Sequence, residues 1–316
     1  MVTVEKKSLS PAQKDALPEV RGRYSFGKPL SELTWFQVGG PAYVIYKPED
    51  ISDLQHFLKN KPNNLSYFVM GAGSNVLVRD GGYNGAVVKL GRGFSQITIE
   101  NDELIAGAAA LDRTVSMFAM QHQMNGVEFL VTIPGTIGGA VAMNAGCYGF
   151  EIKDILSWVE IVDKQGNLCK VFPHELSMSY RKSVLPEGCV IVRVAFKITY
   201  GNAIDIQQNM QQYLELREES QPTKGRTGGS TFKNPELGSK AWELIDQAGC
   251  RGISIGGAKM SDKHCNFMLN TGGASASELE GLGELVRQKV KEKYGQELEW
   301  EIIRIGYEKE LKREVA

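Results

Sequence analysis

Apolar residues recur at intervals of three and four positions in several segments of the chain, and this spacing predicts amphipathic helices. We predict one helix after Pro48, one over residues 111–125, one from about Asn202 and one that begins at Ser275. Ser275 is followed three positions later by Glu278, the pattern of a capping box, in which each side chain binds the backbone of the other residue. The last two helices are long, so the C-terminal part of the chain should be largely helical.

Between these helices, β-branched residues and period-two alternation predict strands. One strand follows a Gly-Gly-Pro turn at residues 39–41, and others cover residues 65–70, 75–79 and 85–90, which gives a small βαββ unit. Residues 94–201 carry further strands, separated by Asn-Asp and Gln-Gly turns. The pattern as a whole predicts an α+β protein.

Changes in this pattern along the chain predict a leader and three domains. The leader is charged and has no continuous apolar stretch, so we interpret it as neither a signal peptide nor a membrane anchor. The segments are a leader with one short helix, 1–22; a first subdomain, 23–93, completed by 303–316; a second subdomain, 94–201; and a third domain, 202–302.

Two glycine-rich segments are the first candidates for a ligand site. Glycines interrupt small apolar residues in the run from Val127 to Gly149, and Gly-Ala-Gly-Ser-Asn at residues 71–75 links two apolar strands. Glycine lets the backbone approach a ligand closely, and successive N–H groups in such a loop can bind an anion. A turn-rich core segment explains the longer run equally well. A Rossmann fingerprint would need a third glycine where Val76 stands, and the chain has no Walker motif.

Composition and charge exclude several classes of protein. The chain has 316 residues, 42% of them hydrophobic, which is enough for two or three domains with their own cores. Lys and Arg number 36 against 37 Asp and Glu, so no net positive charge favours nucleic acid or an anionic membrane as a partner. The five cysteines are scattered and never in Cys-x-x-Cys spacing, which indicates reduced thiols in the cytoplasm and no cysteine-built metal site.

Five motifs occur in an order that resembles one enzyme family, UDP-N-acetylenolpyruvoylglucosamine reductase (UDP-N-acetylmuramate dehydrogenase). The match runs from about Leu33 to Gly306. Only a short segment separates Ser183 from the strand at Val190, so the chain resembles the second type of this family, which lacks a long tyrosine-bearing loop. The motifs are GAGSN at 71–75, IPGTIGGAVAMNAG at 133–146, SYRKS at 179–183, GGSTFKNP at 228–235 and LEWEIIRIG at 298–306.

The resemblance implies a vanillyl-alcohol-oxidase-type (PCMH-type) FAD-binding fold followed by a C-terminal substrate-binding domain. FAD would be bound non-covalently, with its diphosphate over residues 71–75 and its ring against the backbone of 134–139 and 144–146. No histidine stands beside the glycine loops, and Cys147 alone keeps covalent attachment open. The implied cofactor-binding residues are Gly71, Ala72, Gly73, Ser74, Asn75, Pro134, Gly135, Thr136, Ile137, Gly138, Gly139, Asn144, Ala145 and Gly146.

The implied reaction is the NADPH-dependent reduction of UDP-N-acetylglucosamine enolpyruvate to UDP-N-acetylmuramate, a step in peptidoglycan precursor synthesis. Hydride delivery to the double bond leaves negative charge on the carboxylate side, so the site must supply positive charge and a proton. The resemblance gives the first role to Arg181 and the protonation to Ser230, and makes Glu301 the third catalytic residue. By residue type alone, these would be a surface ion-pair arginine, a turn serine and a solvent-facing strand carboxylate.

Substrate contacts and rival functions complete the expectations. Two other functions stay open, an FAD-dependent oxidase of the same fold acting on a small molecule and a non-catalytic nucleotide-sugar-binding protein. We expect a cytoplasmic monomer without nucleic-acid or membrane partners. The implied substrate-binding residues are Tyr180, Lys233 and Asn234, with Lys263, His264 and Asn266 in a further stretch of the third domain.

Overall fold

The computed structural model describes residues 16–309, so most of the predicted leader, and its short helix, lie outside the described residues. The strands are β1 (Arg23–Phe26), β2 (Ala42–Lys47), β3 (Tyr67–Val69), β4 (Val76–Val78), β5 (Tyr83–Val88), β6 (Ile97–Glu100), β7 (Glu103–Gly107), β8 (Met124–Asn125), β9 (Gly146–Cys147), β10 (Phe150–Glu151), β11 (Leu156–Val162), β12 (Leu168–Val171), β13 (Val190–Lys197), β14 (Thr199–Tyr200), β15 (Arg226–Ser230), β16 (Ser254–Ile255), β17 (Ala258–Met260), β18 (Phe267–Asn270) and β19 (Ile303–Ile305). The α-helices are α1 (Ile51–Asn60), α2 (Asp112–Gln121), α3 (Ile137–Met143), α4 (Ile152–Ile155), α5 (Ala203–Ser220), α6 (Ala241–Gln247) and α7 (Ala276–Tyr294).

Local signals set the ends of the predicted helices. The capping box of α7 is confirmed, because Ser275 accepts a hydrogen bond from the backbone N–H of Glu278, and the helix ends at Gly295 in the left-handed region. Helix α2 is shorter than the predicted 111–125. Helix α3, inside the glycine run, was not predicted, because Gly138 and Gly139 lower the intrinsic helix propensity of this segment.

The chain folds into two compact units, each made of several segments. The described part of unit 1 comprises residues 16–26, Tyr43–Ala72 and Asn84–Leu216, and that of unit 2 comprises Gly27–Ala42, Gly73–Tyr83 and residues 217–309. The segment predicted as one subdomain, 23–93, is therefore shared between the two units. The predicted subdomain boundaries stay a prediction.

Unit 1 contains two larger sheets, each with its own apolar core, besides two pairs of short strands. The first has the order β1-β2-β5-β3, with β3 and β5 parallel, and Tyr46, Leu54 and Phe57 are buried between this sheet and α1. The second is antiparallel with the order β12-β11-β13-β7-β6, and its core includes Val115 of α2 and Val141 of α3. These helices hold the glycine run against the second sheet.

Unit 2 is built around α7. Its antiparallel sheet has the order β15-β18-β17-β16, and the buried face of α7 packs on it through Leu279, Leu282, Val286 and Val290. Strand β4, which we predicted inside the βαββ unit, pairs instead in parallel with β19. Among the described residues, no helix has both the length and the apolarity needed to cross a membrane.

Candidate active site

A cavity of about 410 Å³ lies in unit 1 at the end of β3 and β5. Because these strands are parallel, their carboxyl ends meet at one edge, where open α/β sheets commonly bind ligands. Gly71 and Ala72 follow β3, and Lys89 follows β5. The cavity is lined by Val69, Met70, Gly71, Ala72, Lys89, Leu90, Gly91, Arg92, Ser95, Ala108, Ala109, Leu111, Thr136, Gly138, Gly139, Ala142, Leu185, Cys189 and Ile191.

Two glycines of this lining stand where a side chain would crowd its neighbours. A Cβ added at Gly71 would lie 2.5 Å from Oγ1 of Thr136. A Cβ added at Gly138 would lie 3.0 Å from Cβ of Ala108, whose carbonyl accepts the hydrogen bond of the Gly138 N–H at 2.9 Å. The two glycine motifs therefore line one cavity with bare backbone, as close approach to a cofactor requires.

The charge of the lining suits a phosphate-bearing cofactor. It contains the cations Lys89 and Arg92 and no aspartate or glutamate. Nζ of Lys89 donates a hydrogen bond to the Gly71 carbonyl, and burial together with the charge of Lys47 lowers the pKa of its ammonium group. Most of the remaining lining is apolar, so the cavity combines an apolar surface with local positive charge and fits FAD.

The predicted cofactor-binding residues lie in different surroundings. Five of them line the cavity, while the loop 71–75 passes from unit 1 into unit 2 after Ala72. Ile137 is fully buried in the core of unit 1. Asn144 is also buried, and its amide donates to the Ser179 carbonyl at 2.8 Å and to Glu151 at 3.1 Å. The side chain of Asn144 thus connects the glycine run to the turn that carries Arg181.

Arg181 has an unusual backbone conformation. It lies in unit 1, in a tight turn closed by two hydrogen bonds between Ser179 and Lys182. Its φ of 53° is in the left-handed region, which is costly for a residue with a side chain and is common at functional sites. Its guanidinium donates to the Gly146 carbonyl at 2.9 Å and stacks on the ring of Tyr180.

Unit 2 brings three of the motifs together. The N–H of Glu301 donates to the Thr231 carbonyl at 2.9 Å, next to Ser230 at the end of β15. The side-chain amide of Asn75 donates to the Glu301 carbonyl at 3.1 Å, and the Asn75 carbonyl accepts from the N–H of Ile303 at 3.0 Å. We had predicted that Glu301 lies on a strand. It instead lies before β19, which begins two residues later.

Ser230 depends on its glycine neighbours. Gly229 has a φ of 80°, and a Cβ added at Gly228 would lie 2.5 Å from the ring of Phe36. The pairing of β15 with β18 is interrupted by a bulge between Thr227 and Ser230. Bulges re-aim side chains next to active sites, and this one sets the position of Ser230.

Two glutamates of the last motif, Glu299 and Glu301, have different surroundings. Glu299 is 73% exposed and forms an ion pair with Lys233 at 2.5 Å. Its partner Lys233 was predicted to bind substrate, as was Asn234, whose side chain accepts a hydrogen bond from the N–H of Ala241. Glu301 is only partly exposed, which favours it over Glu299 as the catalytic glutamate.

Sequence reasoning missed the two cations of the cavity. Lys89 and Arg92 belong to none of the motifs. The one signal available was that a lysine directly follows the apolar residues Ala86–Val88. A charged residue directly after a buried strand lies at the sheet edge where ligands bind.

Two protein-family models match the chain. An FAD binding domain matches residues 41–171, and the C-terminal domain of UDP-N-acetylenolpyruvoylglucosamine reductase matches residues 221–305. The predicted order of an FAD-binding region followed by a C-terminal substrate domain in an α+β protein is confirmed.

Curated proteins and a solved structure extend this similarity over most of the chain. The UDP-N-acetylenolpyruvoylglucosamine reductase of Acidiphilium cryptum is 52% identical over 92% of this chain and 94% of its own length. That of Gluconobacter oxydans is 50% identical over 92% and 95%. The crystal structure of the reductase from Thermus caldophilus has a TM-score of 0.79 and 32% identity, and the match covers 91% of this chain and all of that one.

Proposed function

Because this chain belongs to the UDP-N-acetylenolpyruvoylglucosamine reductase family, we propose that Arg181, Ser230 and Glu301 catalyse the reduction of UDP-N-acetylglucosamine enolpyruvate to UDP-N-acetylmuramate. The cofactor is FAD and the reductant is NADPH. The reaction is a step in the synthesis of peptidoglycan precursors. The chain is thus an oxidoreductase rather than a nucleotide-sugar-binding protein without catalysis.

One observation supports these catalytic assignments above the others. Glu301, Thr231 beside Ser230, and Asn75 of the first glycine loop are joined by backbone and side-chain hydrogen bonds within unit 2. Asn75 and Glu301 are 226 positions apart in the sequence. Parts of three motifs that only the resemblance connected are thus held together by direct hydrogen bonds.

Bound FAD supplies the redox chemistry, a two-electron transfer from NADPH to the double bond of the substrate. The cavity residues Gly71, Thr136 and Gly138 would hold it, because their backbone is accessible and no side chain blocks it. Reduction places negative charge on the carboxylate side of the former double bond. A preorganised cation at that position lowers the barrier, and Arg181 fills this role because its guanidinium stays charged and can bind a carboxylate through two hydrogen bonds.

Ser230 completes the reaction by donating a proton to the enolate carbon. A serine hydroxyl is a weak acid, so an adjacent group must assist it. Glu301 is the assisting group, because its backbone is fixed one residue from Ser230 through the hydrogen bond to Thr231. Tyr180, Lys233 and Asn234 contact the sugar nucleotide. We further propose that the enzyme is a cytoplasmic monomer with non-covalent FAD, which size-exclusion chromatography and flavin release on denaturation test.

Stopped-flow absorbance of the flavin tests the catalytic assignments. In Ser230→Ala, bleaching by NADPH should proceed at the wild-type rate, whereas the return of colour on adding the enolpyruvyl sugar nucleotide should slow by roughly 10²- to 10⁴-fold, the range for loss of a general acid. Ser254→Ala, at an exposed position in the same sheet, is the control and should change neither phase. Return of colour at the wild-type rate in Ser230→Ala would refute the assignment.

A further inference from the structure

Lys89 is held in a fixed place by the sheet of unit 1. Its N–H donates to the Tyr46 carbonyl at 2.8 Å, and the N–H of Met70 donates to the Val88 carbonyl at 3.0 Å, which continues the parallel pairing of β3 and β5 to its end. The backbone of Lys89 therefore lies beside the start of the 71–75 loop. Its side chain crosses to the Gly71 carbonyl and lines the cavity.

The ammonium group of Lys89 lacks a counter-ion within the described part of the chain. Its hydrogen bond there is to the Gly71 carbonyl, and no carboxylate lies within ion-pair distance of it. An ammonium group has three donors, so two remain after the bond to Gly71. Burying a cation without an opposite charge is unfavourable, and the nearby charge of Lys47 adds to the cost.

The cavity lining offers this cation no anionic partner. Arg92 is a second cation at an exposed position, and the other polar side chains of the lining are Ser95, Thr136 and Cys189. Burial and the charge of Lys47 lower the pKa of Lys89, because both disfavour its charged form. An anionic group in the cavity would reverse both effects.

We propose that Lys89 is a cofactor-binding residue whose ammonium group forms an ion pair with the diphosphate of FAD while it holds the Gly71 carbonyl. The inference rests on the proposed function only in taking FAD as the ligand. It assigns Lys89 two separable roles, one through its charge and one through its hydrogen bond to the loop. The negative charge that compensates Lys89 comes from the cofactor and not from the protein.

Titration of FAD into the apoprotein, followed by quenching of flavin fluorescence, tests the proposal without any measurement of turnover. Lys89→Met removes both roles, whereas Lys89→Gln removes the charge but keeps an N–H donor for the Gly71 carbonyl. If the charge matters, both variants should bind FAD roughly 10- to 100-fold more weakly than the wild type, the cost of a hydrogen bond to a charged group. Lys197→Met, the control at an exposed cation of unit 1 outside the cavity lining, should weaken binding less than about 5-fold.

The salt dependence of binding distinguishes an ion pair from a loop support. Raising the KCl concentration screens the attraction, so wild-type affinity should fall with salt while the affinity of both Lys89 variants should fall less. Wild-type affinity in Lys89→Gln, or an unchanged salt dependence in both variants, would overturn the proposal. Melting of each apoprotein reports any loss of folding. If the Lys89→Met apoprotein melts at a lower temperature than the wild type, FAD binding by Lys89→Gln alone decides whether the charge of Lys89 contributes. If Lys89→Gln binds FAD as tightly as the wild type does, while NADPH bleaches the wild-type flavin and the substrate reoxidises it, this inference fails and the proposed function stands.

Discussion

Asp112 is a fully buried acid whose two carboxyl oxygens have no hydrogen-bond partner within the described residues. It stands at the start of α2, against Gly135 of the glycine run, where an added Cβ would lie 2.6 Å from Oδ2. Burial raises the pKa of this carboxyl well above its usual value. Burial therefore favours the neutral form of this acid over its charged form.

The sign of this pKa shift gives a pH-dependent prediction. A carboxyl whose pKa is raised on folding destabilises the native state as pH rises above its unfolded pKa of 3.8, and the loss continues until pH passes the folded value. Asp112→Asn cannot ionise. Relative to that of the wild type, its free energy of unfolding should thus be higher at pH 8 than at pH 5. Urea denaturation at both pH values measures this, and a pH-independent difference would contradict it.

Substituting lysine for Arg181 tests the geometry of its guanidinium group. Lysine retains the charge but loses the planar, two-pronged geometry, so Arg181→Lys should lower kcat by roughly 10²- to 10³-fold, the range for loss of one group that stabilises a developing charge. FAD affinity should be unchanged, since Arg181 is not part of the cavity lining. Steady-state kinetics and FAD titration of the same preparation measure both quantities. A fall in affinity with unchanged kcat would place Arg181 in cofactor binding instead.

Helix α7 contains two glycines that face different surroundings. Gly283 is buried, and a Cβ added to it would lie 2.1 Å from the ring of Trp300, whose indole N–H donates to Glu284 at 2.8 Å. Gly281, in the same helix, is exposed with open space around it. Trp300 immediately precedes Glu301, so the packing of α7 helps to set the position of this proposed catalytic residue.

This pair makes a matched test of the helix. Gly281→Ala should raise the free energy of unfolding by roughly 0.5–1 kcal/mol, because alanine restricts the unfolded chain and favours the helix. Gly283→Ala should lower it by roughly 1–3 kcal/mol, because the rigid Trp300 ring must move. Gly283→Ala should also reduce kcat through the displaced Glu301. Urea denaturation and kinetics of both variants check this; equal stabilisation by the two alanines would contradict the contact with Trp300.

Bound FAD should stabilise the folded protein. A ligand that binds only the folded protein stabilises it by about 2.7 kcal/mol at 100 times its Kd and by about 4.1 kcal/mol at 1,000 times. The unfolding midpoint of the apoprotein should therefore rise steadily with FAD concentration. For Lys89→Met the same rise should require more FAD. Thermal melts over an FAD series measure this, and a midpoint independent of FAD would show that the folded chain does not bind it.

The sequence alone determined the elements whose signals are local. The capping box at Ser275 and the apolar face of α7 each lie within a few turns of one helix, and each was predicted correctly. The order of the five motifs likewise identified the family before any fold was known. Such signals are readable because they depend on neighbours within a few positions, where backbone geometry fixes which side chains meet.

Which distant residues meet could be read only from the folded chain. The fold pairs β4 with β19 and joins Glu301 to Thr231 and Asn75 by hydrogen bonds. It also forms the ion pair between Glu299 and Lys233. It also placed Lys89 beside Gly71. These contacts join segments far apart in the chain through parallel pairing and side-chain packing, which no local periodicity encodes, because the free energy that selects them comes from burial and hydrogen bonding in the assembled fold.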